Sequence, residues 1–324
     1  MLVNVLLFVV GLVMLIKGGD WFVDGASGIA RRFHLPELLI GATVVSIGTT
    51  LPEVMVSAQG AMAGSGGMAY GNAIGSIICN TSLIAALTIA IKPSKVDRKT
   101  LVIPVAFFFV AAAFYVGIAY TTGMFSRAVG FVLLAGFVVY ITYTLLEMKK
   151  NPVAEEAHGA KEQEEGNSSM AKEVFFLVLG AILIAIGARL LVDNGTAIAE
   201  ALGVPDTVIA LTFVALGTSL PELVTAITSL MKGHGALSLG NIIGANLFNL
   251  VLVSGVSIVI SPFPVPAEST IAGMPASLVM DIPVMLGVML LLTVPALVRE
   301  KLSRVQGILL LCVYAAFCIA QFVM

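Results

Sequence analysis

Two six-residue phrases place a carboxylate beside a proline in the middle of apolar sequence: Gly48-Thr49-Thr50-Leu51-Pro52-Glu53 and Gly217-Thr218-Ser219-Leu220-Pro221-Glu222. An acidic side chain at the centre of a membrane helix costs roughly 2.5–3.5 kcal/mol on insertion scales, so two of them point to function. The oxygen donors are the Glu53 and Glu222 carboxylates and the hydroxyls of Thr49, Thr50, Thr218 and Ser219. Each proline lacks an N–H and crowds the carbonyl four residues back, so a helix is expected to open there. Carbonyls around Gly48 and Gly217 are thereby freed toward protein or a watery cavity. Hard oxygen donors of this kind suit Ca2+ and Na+ rather than softer metals.

A second pair of segments supports the first. Asn72, Ser76 and Asn80 fall four apart, on one helix face; the matching positions hold Asn241, Ala245 and Asn249. Asn80 and Asn249 each lie 27 residues after their glutamate and are read as cation ligands. Asn72 and Asn241 fit either a ligand or a bond between helices. Gly71/Gly75 and Gly240/Gly244 are small-xxx-small pairs that permit close helix approach.

Charge suggests how such a site would work. Two carboxylates about 5 Å apart repel by roughly 3 kcal/mol at an effective dielectric of 20, and one Ca2+ or two Na+ would neutralise them. Cations competing for one glutamate pair cannot easily travel together, so alternating access gives antiport rather than symport.

These residues must be positioned by a membrane protein. The chain is 59% hydrophobic and 11% charged over 324 residues, with a mean hydropathy of +1.05. Soluble domains carry about 25% charged residues. Ten stretches approach the roughly 20 apolar residues that span a bilayer. They are expected at 2–30, 36–62, 69–91, 100–120, 125–147, 173–201, 205–231, 238–260, 280–298 and 304–323. The first lacks a basic start and a cleavage site and is expected to be retained. The acidic stretch 148–172 reads as a flexible linker without the spacing of an EF-hand, and the Pro-rich stretch 261–279 as a non-helical excursion.

The halves align without a gap at an offset of 169 residues, with 20 of 57 positions identical between Asp24–Asn80 and Asp193–Asn249. This is a duplication. Five spans per half, an odd number, require the second copy to enter from the opposite face. The expected fold is an all-α integral membrane protein of ten transmembrane helices. They form two inverted five-helix repeats, 1–147 and 173–324, with helices 2 and 7 broken at the ion site. Alternating helices would put fourteen lysines and arginines in the loops of one face and only Arg127 on the other. That asymmetry predicts a cell-membrane protein with both termini outside and the 148–172 loop in the cytoplasm. Lys17 with Asp20 and Arg189 with Asp193 read as local helix pairs, and Asp281 as the start of the ninth helix.

At the two phrases and at the Gly-Asn-x-Ile-Gly segments, the chain resembles the sodium/calcium exchanger family of the cation/Ca2+ antiporter superfamily. The resemblance spans nearly the whole sequence. It implies Na+/Ca2+ exchange by alternating access, with the first and sixth helices sliding over a more rigid core. It also implies Glu53 and Glu222 as central ligands, helped by Thr49, Thr50, Ser76 and Asn80 in one half. Thr218, Ser219 and Asn249 would help in the other, with the backbone carbonyls of Ser46 and Ala215. Asn249 stands where an aspartate is common and Ala245 where a serine is common. Only two formal negative charges remain, and three Na+ per Ca2+ is not implied.

The alternative closest to a Na+/Ca2+ antiporter is a Ca2+/H+ antiporter using the same glutamates as proton carriers. A channel fits less well, because its carboxylates would come from parallel rings rather than inverted copies. An enzyme finds no support in the sequence: there is no HExxH, no G-x-S-x-G nucleophile and no metal triad. Cys79, Cys312 and Cys318 lie in apolar stretches and read as packing residues. The expected partners are Ca2+, Na+ and the lipid bilayer, with no cofactor, nucleic acid or protein partner.

Overall fold

The computed structural model describes residues 1–150, 169–202, 217–267, 270–271 and 273–323. The helices are α1 (Leu2–Arg32), α2 (Glu37–Met62), α3 (Gly66–Ile91), α4 (Arg98–Thr122), α5 (Arg127–Lys150), α6 (Met170–Ala201), α7 (Leu220–Met231), α8 (Gly235–Ile260), α9 (Ser277–Arg299) and α10 (Arg304–Val323). Among the described residues, nine are long and apolar enough to cross a membrane, and α7 is shorter. The first part of the span expected at 205–231 lies outside the described residues, as does most of the linker expected at 148–172. Two short antiparallel ribbons complete the chain: Met124–Phe125 with Phe263–Pro264, and Thr270–Ile271 with Met274–Pro275. The Pro-rich excursion thus carries strands, and α9 begins at Ser277, four residues ahead of Asp281.

Local chemistry sets the boundaries. Asp97 caps α4, its carboxylate accepting from the Lys99 and Thr100 amides at 3.1 and 3.3 Å, and Gly123 ends that helix at φ 63°. The α2–α3 and α7–α8 turns are built alike. Gly64 and Gly233, 169 residues apart, take φ 79° and 89°, values that favour glycine because it has no Cβ. Their surrounding hydrogen bonds also match, Ser65 N to Gly60 O at 2.8 Å and His234 N to Ser229 O at 2.8 Å. The duplication read in the sequence is therefore a duplication of local structure.

The longest packing seam joins α1 to α6 through glycines. A Cβ on Gly11 would come within 2.8 Å of the Gly187 carbonyl, and one on Gly180 within 2.7 Å of the Gly18 carbonyl. Gly11 and Gly180 are equivalent positions at the 169-residue offset, and so are Gly18 and Gly187. The seam is thus self-complementary, as a two-fold interface requires. Gly240 and Gly244 of α8 likewise let α2 approach: a Cβ at these positions would meet the Leu38 backbone and the Ala42 backbone. Gly71 and Gly75 meet no described neighbour within 4 Å.

The ends of the helices sort by charge. At one end, Arg32 pairs with Glu173 at 2.9 Å, and Lys232 with Asp24 at 2.7 Å and Asp20 at 3.6 Å. Arg304 caps the Ala90 carbonyl there at 2.8 Å. At the other end, Arg127 bonds the Val259 carbonyl at 3.1 Å. The expected Arg189–Asp193 pair is present at 3.5 Å. Asp20 turns to Lys232 rather than to Lys17, because the α7–α8 turn brings that lysine alongside α1.

Candidate functional site

Four helices are irregular at or beside the expected site residues. α2 has π geometry over Gly41–Val45, immediately ahead of its signature phrase. α3 takes π geometry over Asn80–Ala85 and α8 over Asn249–Val253, so each opens on the asparagine read as a ligand. π-turns interrupt the regular ladder and are frequent at functional sites. In α7, Thr218 and Ser219 form a turn and the helix starts at Leu220, with Pro221 in its first turn. Here the interruption falls at the phrase, as expected.

In α2 the expectation is only half met. The α-helix runs unbroken over Ser46–Met62 with Pro52 inside it, and the irregularity lies one turn earlier. Pro52 still has no N–H to give the Gly48 carbonyl, but the chain keeps its helical course. The small residues Gly41 and Ala42 can pack closely on α8, which holds the N-terminal part of α2 in place across the defect.

Glu53 and Glu222 are both wholly buried; among the described residues neither carboxylate has a hydrogen bond of full geometry, and the Thr49 and Thr50 hydroxyls of the other phrase lie beside Glu222. Pro52 and Pro221 line one narrow cleft with Gly48, Thr49, Phe22, Ala181, Ile184 and Ala185. The two phrases are thus brought together where α1, α2, α6 and α7 meet.

The remaining expected ligands divide into two groups. Thr50, Ser219, Asn80 and Asn249 are buried with side-chain polar atoms that have no partner among the described residues; for both asparagines this includes oxygen and nitrogen. Six of the expected side chains, counting the glutamates, therefore present unsatisfied polar atoms in one region. Unpaired buried groups cost roughly 1–3 kcal/mol each, and a cation with its waters is the kind of ligand that satisfies them together. Thr49 and Thr218 are held by amides instead. The Thr49 hydroxyl donates to Asn241 Oδ1 at 3.1 Å and that of Thr218 to Asn72 Oδ1 at 3.4 Å. Ser46 donates its hydroxyl to the Asn241 and Gly41 carbonyls at 2.9 and 2.8 Å, while its own carbonyl has a long contact from Thr49 at 3.5 Å. Ser76 is buried on α3. Ala215 lies outside the described residues.

Asn72 and Asn241 are thus linkers. Asn72 also donates to Ser57 Oγ at 2.7 Å and to the Glu53 carbonyl at 3.2 Å, fixing the turn that carries the carboxylate. A further buried link was not legible in the repeat: Asn246 donates to Thr81 Oγ1 at 2.7 Å and approaches Met289 Sδ at 3.2 Å. Its counterpart is Ile77, so matching the two halves could not single it out.

Comparison with known proteins gives the family. The family model described as sodium/calcium exchanger protein matches residues 3–146 and 172–323. The sodium/calcium exchanger MaX1 of Methanosarcina acetivorans is 33% identical, over 99% of each chain. The inner membrane protein YrbG of Escherichia coli is 35% identical over 81% of each. Among solved structures, the sodium-calcium exchanger NCX_Mj soaked without Na+ and Ca2+ superposes with a TM-score of 0.81, at 34% identity and 99% coverage of both chains. The same protein with 2.5 mM Na+ and 10 mM Sr2+ gives 0.80 at 36% identity. The chain is a multi-pass membrane protein and a cation/Ca2+ exchanger, and it belongs to the sodium/calcium exchanger family.

Proposed function

We propose that the protein is a secondary active antiporter that exchanges Na+ for Ca2+ by alternating access at one site shared between Glu53 and Glu222. The observation that carries this reading is the pair itself: two carboxylates in two copies of one phrase, wholly buried, with no hydrogen bond of full geometry among the described residues, and with their neighbouring prolines lining one cleft. Thr50, Ser219, Asn80 and Asn249 complete the first oxygen set. Thr49, Thr218 and Ser76, with the Ser46 and Ala215 carbonyls, lie around it on the sequence reading. The printed names of MaX1 and NCX_Mj, both sodium/calcium exchangers, support the choice of ions.

The two repeats, 1–147 and 173–324, are read as inverted, and the self-complementary glycine seam between α1 and α6 supports that reading. The lysine-rich end is assigned to the cytoplasm with the 148–172 linker, and both termini to the outside. Two carboxylates balance one Ca2+ or two Na+, so the cycle is electroneutral.

The deciding experiment is Ca2+ uptake into vesicles holding the purified protein, under an imposed Na+ gradient at clamped pH and, separately, under a pH gradient without Na+. Na+-driven uptake is expected. Uptake driven by the pH gradient alone would instead assign the glutamates to Ca2+/H+ exchange.

A further inference from the structure

Buried hydroxyls in a membrane helix ordinarily bond a carbonyl of their own helix. The structure holds many examples: Thr43 to Leu39 O at 2.7 Å, Ser82 to Ile78 O at 2.5 Å, Ser257 to Val253 O at 2.8 Å and Thr293 to Met289 O at 2.6 Å. Thr225 and Ser229 of α7 do not follow this rule. Both are wholly buried, and among the described residues neither hydroxyl has a partner, as is also true of Thr50, Thr144 and Ser219.

Their position gives the exception meaning. With Glu222 they occupy successive turns of one helix face, spaced three and four residues apart. At 1.5 Å rise per residue they stand about 4.5 Å and 10.5 Å beyond the carboxylate toward the lysine-rich end. They are not on the face that meets α1, which Val224 and Thr228 occupy against Gly19. α7 also packs on the last part of α3 and on the first part of α8, and Ser238 of α8 donates to the Ala226 carbonyl at 3.2 Å. Where α3 and α7 end and α8 begins lies a small cavity of about 10 Å3 lined by Thr88, Lys92, Ser94, Leu230, Gly235 and Ser238 among others. That is room for about one water.

The opposite half of the molecule lacks this feature. The counterparts of Thr225, Ser229 and Ser238 are Val56, Gly60 and Ala69. The repeat has kept the glutamates and the asparagines, but in the first half the hydroxyl one turn beyond the glutamate, Ser57, is bonded to Asn72 and no second hydroxyl follows it at position 60.

We infer that Thr225 and Ser229 form a hydroxyl file along which a partly dehydrated metal cation passes between Glu222 and the lysine-rich face. This rests on the exchange reading for the identity of the cation, but the route itself does not depend on which cation is carried. Each hydroxyl offers one neutral oxygen to an ion that leaves the carboxylates, and neither adds charge that would hold it. The file is closed in this structure, because both groups are wholly buried, and it conducts when α7 and its neighbours separate.

Two measurements on the full chain in liposomes test the inference. In the first, the Thr225→Val/Ser229→Ala double variant removes both hydroxyls with little change in volume. Equilibrium binding of radioactive Ca2+ is expected to stay within about twofold of the parent while the initial exchange rate falls about tenfold, as for roughly one lost hydroxyl ligand at the barrier. An unchanged rate, or a loss of binding as large as the loss of rate, would overturn the file. In the second, Ser229→Cys, nearly equal in size, is exposed to a cationic hydrophilic thiol reagent on one face at a time. Inhibition from the lysine-rich face alone, beyond that of the parent with its own three cysteines, is expected. A Ser229→Cys protein that stays unreactive from both faces in every ion condition would overturn the proposal even if the double variant fails to fold. If the parent itself moves no Ca2+ under a Na+ gradient, the exchange reading fails, and covalent labelling of Ser229→Cys from each face, read by mass, still decides the route.

Discussion

On the proposed exchange of two Na+ for one Ca2+, Asn249→Asp should convert an electroneutral cycle into one driven by membrane potential. The wholly or nearly buried charged side chains among the described residues are Glu53, Glu222 and Glu173. Glu173 is neutralised by Arg32 at the end of the bundle, so the site itself carries a formal charge of two. Loaded with one Ca2+ or with two Na+, it crosses the membrane with no net charge. At equilibrium a tenfold Na+ gradient then supports about a hundredfold Ca2+ gradient, and a potential of 100 mV changes nothing.

An aspartate at position 249 would occupy a place where both amide atoms of the present side chain lack a protein partner. The Ca2+-loaded site would carry one negative charge and three Na+ would neutralise it, so each cycle would move one charge. That is worth about 2.3 kcal/mol per 100 mV, or roughly a 50-fold change in the limiting Ca2+ gradient at 1.36 kcal/mol per factor of ten. The assay is Ca2+ accumulation in liposomes with the potential clamped by K+ and an ionophore. Potential-driven accumulation by the parent chain would refute the charge count. A variant that exchanges normally yet ignores the potential would remove position 249 from the ion cycle.

Other perturbations follow from the same geometry. Glu53→Gln or Glu222→Gln keeps the side-chain volume but leaves Ca2+ half balanced, and each should abolish Ca2+ exchange while the protein remains folded by thermal unfolding; robust exchange would remove that glutamate from the site. Asn72→Ala deletes bonds to Ser57 and to the Glu53 carbonyl and should destabilise the fold by about 1–3 kcal/mol, read from the melting temperature in detergent. Gly180→Leu drives a side chain into the Phe22 and Gly18 backbone, so dispersed protein should be lost on gel filtration; wild-type behaviour would show that α1 and α6 can separate at little cost. Lys232→Gln removes half-exposed pairs with Asp20 and Asp24 and should shift stability by less than about 1 kcal/mol.

How far the sequence could be read depended on what each feature needs in order to show itself. The glutamates, the prolines and the asparagines at positions 80 and 249 stand out because polar groups are rare in apolar segments and because each occurs twice. The paired turns at Gly64 and Gly233 follow from the same duplication. The π-turns could not be found this way, since Asn80–Ala85 and Asn249–Val253 differ from ordinary helix by one shifted hydrogen bond that no residue type announces. The proline rule misled at Pro52, where close packing of α2 on α8 outweighs the cost of one missing N–H and the helix continues. Features present in only one half were hidden for the opposite reason. Asn246, Thr225 and Ser229 face Ile77, Val56 and Gly60 across the repeat, so comparing the halves discards them as noise. Yet a carrier with two equivalent glutamates has no built-in difference between its faces. Whatever distinguishes release on one side from release on the other must reside in positions where the repeats diverge, and the unpartnered hydroxyls of α7 are among the buried positions that do.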